Sequence, residues 1–331
     1  MNKLFIIVSV FLFSNFLYSK SVEELVDNAK PILQLIYNDN FEEAKKEIAK
    51  LEPDSKNFPI TSILKAVMYC KISEEYRTQE YKDDFFKAIS STIPKLENQT
   101  YPDPKEEARK LQLLGSIYGY RGIFYTIEGR WITAFKDGVI GHNRLEDSME
   151  LNKNLVDNKS AMGVYLYWRS KKSSLFKYLL FWGDKRQEGI AMIKASIDKS
   201  ELGKNWSLAS LIRIYIEEED WNTAIKYANE LLALSPNDVG SHRRKAIALE
   251  KLKNYPQAVE EYKKILDIAK NQKMNTSNIQ VEAIYNILKL SKQLNIKIDL
   301  SYKEYALTLT NKVTPAYVID TNYMLKKIRE F

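Results

Sequence analysis

The stretch DWNTAIKYANELLALSPN, residues 220–237, decides how the chain is read. Asp220 is a helix N-cap, because its carboxylate can accept hydrogen bonds from the unpaired amides of a first turn. Pro236 cannot continue a helix and pushes Ser235 out of helical geometry. Between them Trp221, Ala224, Ile225, Ala228, Leu231 and Leu232 recur at three- and four-residue steps, which makes one face apolar. Upstream, LASLIRIYI sets Leu208, Leu211, Ile212 and Tyr215 on a second stripe, and the polar run EEED separates the two. The spacing predicts a helical hairpin that cannot bury its own stripes and needs a stacked neighbour.

The following stretch, HRRKAIALEKLKNYPQAVEEYKKILDIA, repeats that hairpin 34 residues on. Tyr215 becomes Leu249, Asp220 becomes Asn254, Trp221 becomes Tyr255, Ala224 becomes Ala258, and Leu231 becomes Ile265. These residues resemble the tetratricopeptide repeat, a helix–turn–helix unit of that period with large, small and proline positions in fixed order. The resemblance spans Asn205–Asn237 and Val239–Ala269, with Ile212 where the family prefers a small residue and no closing proline in the second unit. It implies an all-α fold, a right-handed superhelical solenoid of antiparallel helix pairs, in which Ala134, Tyr215, Trp221, Ala224, Ala246, Tyr255 and Ala258 pack between helices.

Weaker copies lie upstream around Phe41 and Ala44, Phe85 and Ala88, Trp131 and Ala134, and Gly189, at longer and unequal steps. Near Trp131, Gly122, Tyr125 and Gly129 fall where the repeat wants a small residue, an aromatic and a turn. The middle, roughly 101–227, with SAMGVYLYWRS and KYLLFWGDKRQEGIAMIKAS, also resembles a divergent tetratricopeptide family that includes a fungal inclusion-body clearance protein. That second resemblance implies helical architecture alone. The expected organisation is a leader at 1–19, N-terminal helical repeats at 20–100, divergent central repeats at 101–200, two standard units at 201–270, and C-terminal capping helices at 271–331. Lys289, Lys292, Lys326, Lys327 and Arg329 are candidates for a polar outer face on that cap.

Composition agrees with a helical chain, since glycine and proline together supply only 20 of 331 residues. The net charge of +7 comes from interspersed residues without a basic arm, which argues against a nucleic-acid partner. The single cysteine, Cys70, excludes an internal disulfide, and with His142 and His242 as the two histidines a zinc site is not expected. Cys70 sits in the apolar run ILKAVMYC and is read as core. No phosphate-binding loop, serine elbow, HExxH or calcium loop occurs, so no catalytic residue, cofactor or metal is assigned. Asp83, Asp84 and the acidic run 217–219 are read as helix-start or turn carboxylates.

MNKLFIIVSVFLFSNFLYSK, residues 1–20, has an early lysine and an uncharged apolar run from Leu4 to Tyr18, the form of a secretory signal with cleavage after Ser19. The alternative is an uncleaved anchor that associates the chain with a membrane. Aromatic residues crowd the segment from Ile117 to Trp182, including Trp131, Tyr165, Trp168, Phe176, Tyr178, Phe181 and Trp182. Most are expected in helix-to-helix core and a few in a binding groove.

In the repeat family the first helix of each unit faces a concave surface that takes up peptides. The resemblance therefore implies Trp206 and Arg213 from one unit, and Arg243, Ile247 and Glu250 from the next, as groove residues. Arg244 joins Arg243 in a basic pair loosely like the groups that clamp a peptide carboxylate in some members. The alternatives at that pair are a groove for an acidic or C-terminal peptide and a solvated helix start. The expected function is an exported scaffold that binds a protein or peptide in the bacterial cell envelope. A membrane-anchored periplasmic assembly factor and, remotely, an enzyme without a recognisable motif are the alternatives.

Overall fold

A computed structural model describes residues 22–54, 58–172, 183–200, 202–297 and 299–331. Among them every regular element is helical. The helices are α1 (Val22–Tyr37), α2 (Phe41–Leu51), α3 (Phe58–Glu75), α4 (Lys82–Glu97), α5 (Pro104–Ile127), α6 (Trp131–Leu151), α7 (Val156–Lys171), α8 (Arg186–Ser196), α9 (Lys204–Glu217), α10 (Trp221–Leu234), α11 (Val239–Lys251), α12 (Tyr255–Lys270), α13 (Ser277–Gln293), α14 (Leu300–Thr308) and α15 (Thr321–Arg329). Consecutive helices pack as hairpins, α1 with α2 through to α11 with α12. No described helix is long and apolar enough to cross a membrane, and the 4–18 apolar run lies outside the described residues.

The quoted stretch forms α10 as its sequence predicts. The Asp220 carboxylate accepts from the Thr223 N–H at 3.1 Å, and the helix stops at Leu234. Its entry turn recurs. The residue two before the first aromatic takes positive φ in four hairpins: Asp39 (58°), Gly129 (75°), Glu219 (57°) and Lys253 (60°). In each, the next N–H reaches back five residues, Asn40 to Leu35, Arg130 to Tyr125, Asp220 to Tyr215, and Asn254 to Leu249, at 2.8–2.9 Å. These are the long-range bonds of a Schellman cap, which satisfy carbonyls that the ending helix leaves open. The fourth residue of the new helix is then alanine: Ala44, Ala134, Ala224 or Ala258.

Other positions depart from the expected register. Phe85 is the fourth residue of α4 and fully buried, so it takes the place that alanine holds elsewhere. Gly189 holds that place in α8, where a Cβ would strike the carbonyl oxygen of Gly163, and a Cβ on Gly163 would strike that of Gly189. The α7 and α8 backbones therefore touch. Ala134 is half-buried against Gly122 of α5, whose added Cβ would lie 3.2 Å from the Ala134 carbonyl. Ala224, Ala246 and Ala258 are fully buried; Tyr215, Trp221 and Tyr255 are half-buried, with Tyr215 stacked on Tyr227.

One apolar core contains residues from both ends of the chain, including Val26 and Ile36 of α1 and Leu325 and Ile328 of α15. A smaller cluster joins Tyr167, Ile193, Leu211, Ile212 and Leu231. Apolar residues fall on every side of α3, and such a helix is stable only when surrounded. Leu64, Met68, Ile72 and Tyr76 are accordingly buried. The C-terminal segment also closes on the N-terminal part. The Gln79 N–H donates to the Pro315 carbonyl at 3.2 Å, and the Phe124 and Tyr317 rings meet edge to face. The cap lysines stay at the surface: Lys289 pairs with Glu250, Lys327 with Glu330, and Lys292 lies over the Phe331 ring.

Candidate functional site

Among the described residues, a dense cluster of interior charges lies where α3 meets the α9–α10 and α11–α12 hairpins. α3 carries Lys65 in its middle and, near its C-terminal end, Lys71 with Glu74 and Glu75 three and four residues on, which share one side. Lys71 faces two turns. Asp39 belongs to the α1–α2 turn and lies 2.8 Å from the Lys71 ammonium; Asp238, the N-cap of α11, lies 2.5 Å from it. Glu75 is its third partner. Asp39 Oδ2 also accepts from the Tyr76 hydroxyl at 2.9 Å and from the Val239 N–H at 3.1 Å, and Asp238 accepts from the Ser241 N–H.

Beside this cluster Glu74 binds two arginines. Arg213 Nη2 of α9 lies 2.7 Å from one carboxylate oxygen and Arg244 Nη2 of α11 lies 2.6 Å from the other. Arg244 also stands 3.8 Å from Glu75, and Arg243 donates to the Glu75 carbonyl at 3.0 Å. One lysine and three arginines thus face four carboxylates, all of them buried or half-buried.

The electrostatics follow from burial and balance. Burial works against the Lys71 charge, but Asp238, Asp39 and Glu75 outweigh it and hold the ammonium well above its ordinary range. The amine is therefore no nucleophile. Burial also opposes ionisation of Glu74, yet Arg213, Arg244 and Arg243 keep its carboxyl far below the usual range. Burial, together with Arg213 and Arg243, lowers Arg244 to about 10. At Asp39 burial dominates and pushes the carboxyl up, with Glu75 and Asp238 adding to it against the pull of Lys71.

Carboxylate oxygens of Asp39, Glu75 and Asp238 lie within 4.8 Å of one another, a spacing that suits a divalent cation. The Lys71 ammonium stands among them instead. The charge that a metal would supply comes from the chain, and the donor set does not fit an ion while that lysine is in place.

The residues expected to line a concave groove are thus placed as follows. Arg213, Arg243 and Arg244 come together, but on carboxylates and a carbonyl of the same chain rather than on an open groove or in solvent. Arg243 and Arg244 are 3% and 6% exposed, so neither alternative weighed from sequence describes them. Glu250 points elsewhere, accepting from the Tyr262 hydroxyl at 2.7 Å and pairing with Lys289 at 2.8 Å. Trp206 and Ile247 are half-buried. His242 is buried between Glu261 and the Pro236 carbonyl, and His142 stacks on Tyr165 with Glu146 at 3.3 Å. Cys70 is core, and burial pushes its thiol up. Sequence reading passed over Lys71, Glu74 and Glu75; the signal was three charges at helical spacing near the end of a largely apolar helix.

The outer surface differs. On α6 Trp131 is 46% exposed, Ile132 66% and Ile140 38%. Trp168 is half-buried with Lys172 over its ring, while Phe176, Tyr178, Phe181 and Trp182 lie outside the described residues. No protein-family model matches the chain, and a comparison with curated proteins gives no match.

Proposed function

We propose that this chain is an exported helical-repeat scaffold that recognises a protein or peptide in the bacterial cell envelope, and that it does so with the outer surface of its central helices. The observation that carries this reading is a filled arginine cluster in a chain that exposes large apolar side chains elsewhere. Glu74 and Glu75 occupy the arginines where the tetratricopeptide resemblance places a peptide, while α6 leaves Trp131, Ile132 and, on about the opposite side of the helix from Trp131, Ile140 exposed. The four-fold recurrence of one turn with alanine after it supports a repeat architecture of the tetratricopeptide kind. A right-handed superhelical winding belongs to the same proposal. Recognition by a preformed helical surface avoids part of the ordering cost of association.

In-cell cross-linking of the full chain, followed by identification of the joined proteins and of the chain's own first residue, tests the reading. The expected result is a small, reproducible set of envelope proteins joined to a chain that begins at Lys20. Cross-links no richer than those of an unrelated helical protein would overturn the scaffold. A chain that begins at Met1 would replace the cleaved leader with an anchor.

A further inference from the structure

Three helices in the middle of the chain enclose a second open surface. Each contributes one face at three- and four-residue spacing: Glu146, Met149 and Glu150 from α6, Lys159 and Met162 from α7, and Ala191, Met192 and Ala195 from α8. Together they line an open groove of about 560 Å³. Methionine is unbranched and polarisable, so three of them on one partly exposed floor make a surface that adapts to apolar side chains of different shape. The two alanines, one helical turn apart, leave room for the ridge of another helix. Gly163, next to Met162, and Gly189, two residues before Ala191, bring the α7 and α8 backbones into contact and fix the separation of these two walls.

Its charge selects what can lie there. Along the α6 rim the lining residues Glu146, 52% exposed at the side chain, and Glu150 are both at the surface; Glu146 lies 3.3 Å from His142, and Asp147, outside the lining, pairs with Arg144 at 3.8 Å. Lys159 stands on α7. In a chain whose net charge is +7 this rim is a local exception, and it complements a cationic edge.

We infer that the groove of α6, α7 and α8 is the docking site of an amphipathic helix from a partner protein, with its apolar face on Met149, Met162 and Met192 and a lysine- or arginine-bearing edge along Glu146 and Glu150. The inference rests on the scaffold reading and names the surface and partner chemistry that carry it. A helix fits because the groove is bounded by helices and floored by side chains at helical spacing.

The test uses the full chain and a labelled eighteen-residue helical peptide of leucine and lysine, with a charge-reversed leucine–glutamate peptide and a scrambled leucine–lysine peptide beside it. Fluorescence anisotropy is expected to show saturable binding of the first peptide, with at least about tenfold weaker binding of the other two. Met162→Asp and Met192→Asp are expected to weaken it by about tenfold or more, and Glu146→Gln with Glu150→Gln by ~3–10-fold without a change in melting temperature. The glutamine pair guards against misfolding as the cause, because both positions are at the surface.

Equal affinity for both charge versions, or no effect of the glutamine pair, overturns the inference. So does self-association of the chain that Met162→Asp abolishes, because a second copy would then cover the groove. Cross-links to envelope proteins that survive both aspartate variants also overturn the groove and leave the scaffold standing, whereas absence of cross-links from the unaltered chain removes the scaffold itself.

Discussion

Glu74 on α3 and Arg213 on α9 meet at 2.7 Å although 139 positions separate them, and Arg244 holds the other oxygen of the same carboxylate. Removing the acid leaves the buried Arg244 and the half-buried Arg213 guanidinium groups without their shared counter-charge. Glu74→Gln is expected to destabilise by ~3–5 kcal/mol, measured by denaturant unfolding. A double-mutant cycle with Arg213→Met should recover part of that loss, since the second change removes one uncompensated charge. Strictly additive losses would show that the contact carries no coupling.

Lys71 is the ammonium among Asp39, Glu75 and Asp238. Lys71→Met keeps the apolar stem and deletes the charge, so three carboxylates are left crowded and buried. The expected cost is ~3–5 kcal/mol, with the fall in denaturant midpoint largest above neutral pH, where protonation cannot relieve the crowding. A midpoint within about 1 kcal/mol of the unaltered chain would rule out this lysine as the keystone of the contact.

Gly163 and Gly189 face each other's carbonyl oxygens. Gly163→Val forces α7 and α8 apart and is expected to cost ~2–3 kcal/mol, as overpacking does in a filled interior. If the thermal midpoint did not move, the close approach of the two backbones would be refuted.

Lys253 sits at φ 60° in the α11–α12 turn, where Gly129 holds the same place in the α5–α6 turn. A side chain in the left-handed region costs ~1–2 kcal/mol, partly offset by the greater freedom of glycine in the unfolded chain. Lys253→Gly is expected to raise stability by ~0.5–1 kcal/mol. The same change at Asp39 is expected to destabilise, because there the carboxylate binds Tyr76 and Val239.

Glu261 accepts from His242 and Lys245, and although burial opposes its charge these partners lower it to about 2. A carboxyl whose folded value lies below its unfolded one contributes stability above the unfolded value, about 4.3, and loses it as pH falls towards 2. Glu261→Gln should therefore lower stability at pH 7 by up to ~3 kcal/mol and flatten its decline between about pH 4.3 and 2. Chemical unfolding across that range reads both effects, and an unchanged slope would exclude Glu261 from the acid response.

The helices were legible because their signals are local. Asp220, Pro236 and the stripe between them bound α10, and Gly129 marks a turn whatever the rest of the chain does. The Arg213–Glu74 contact was not legible, since nothing near either residue in sequence points to the other. Arg243 and Arg244 read as a groove or a solvated helix start because both descriptions assume an open inner face. The largely apolar composition of α3, with apolar residues all round it, was the hint against that assumption, because such a helix must be surrounded, and the α9–α10 and α11–α12 hairpins surround its charged end.

The bond from the Val239 N–H to Asp39 spans 200 positions of chain. On a ribosome that adds ~5–20 residues per second, Asp39 and Lys71 emerge roughly 10 s or more before Asp238 and Val239, which complete their contacts. Until α9 and α11 are made, α3 has α1, α2, α4 and α5 to pack against, but Glu74 lacks both of its arginines. The charged end of α3 is therefore completed late, by distant pairings in a chain whose contacts are otherwise mostly local. Truncation within α11–α13 should accordingly destabilise the beginning of the protein as well as its end.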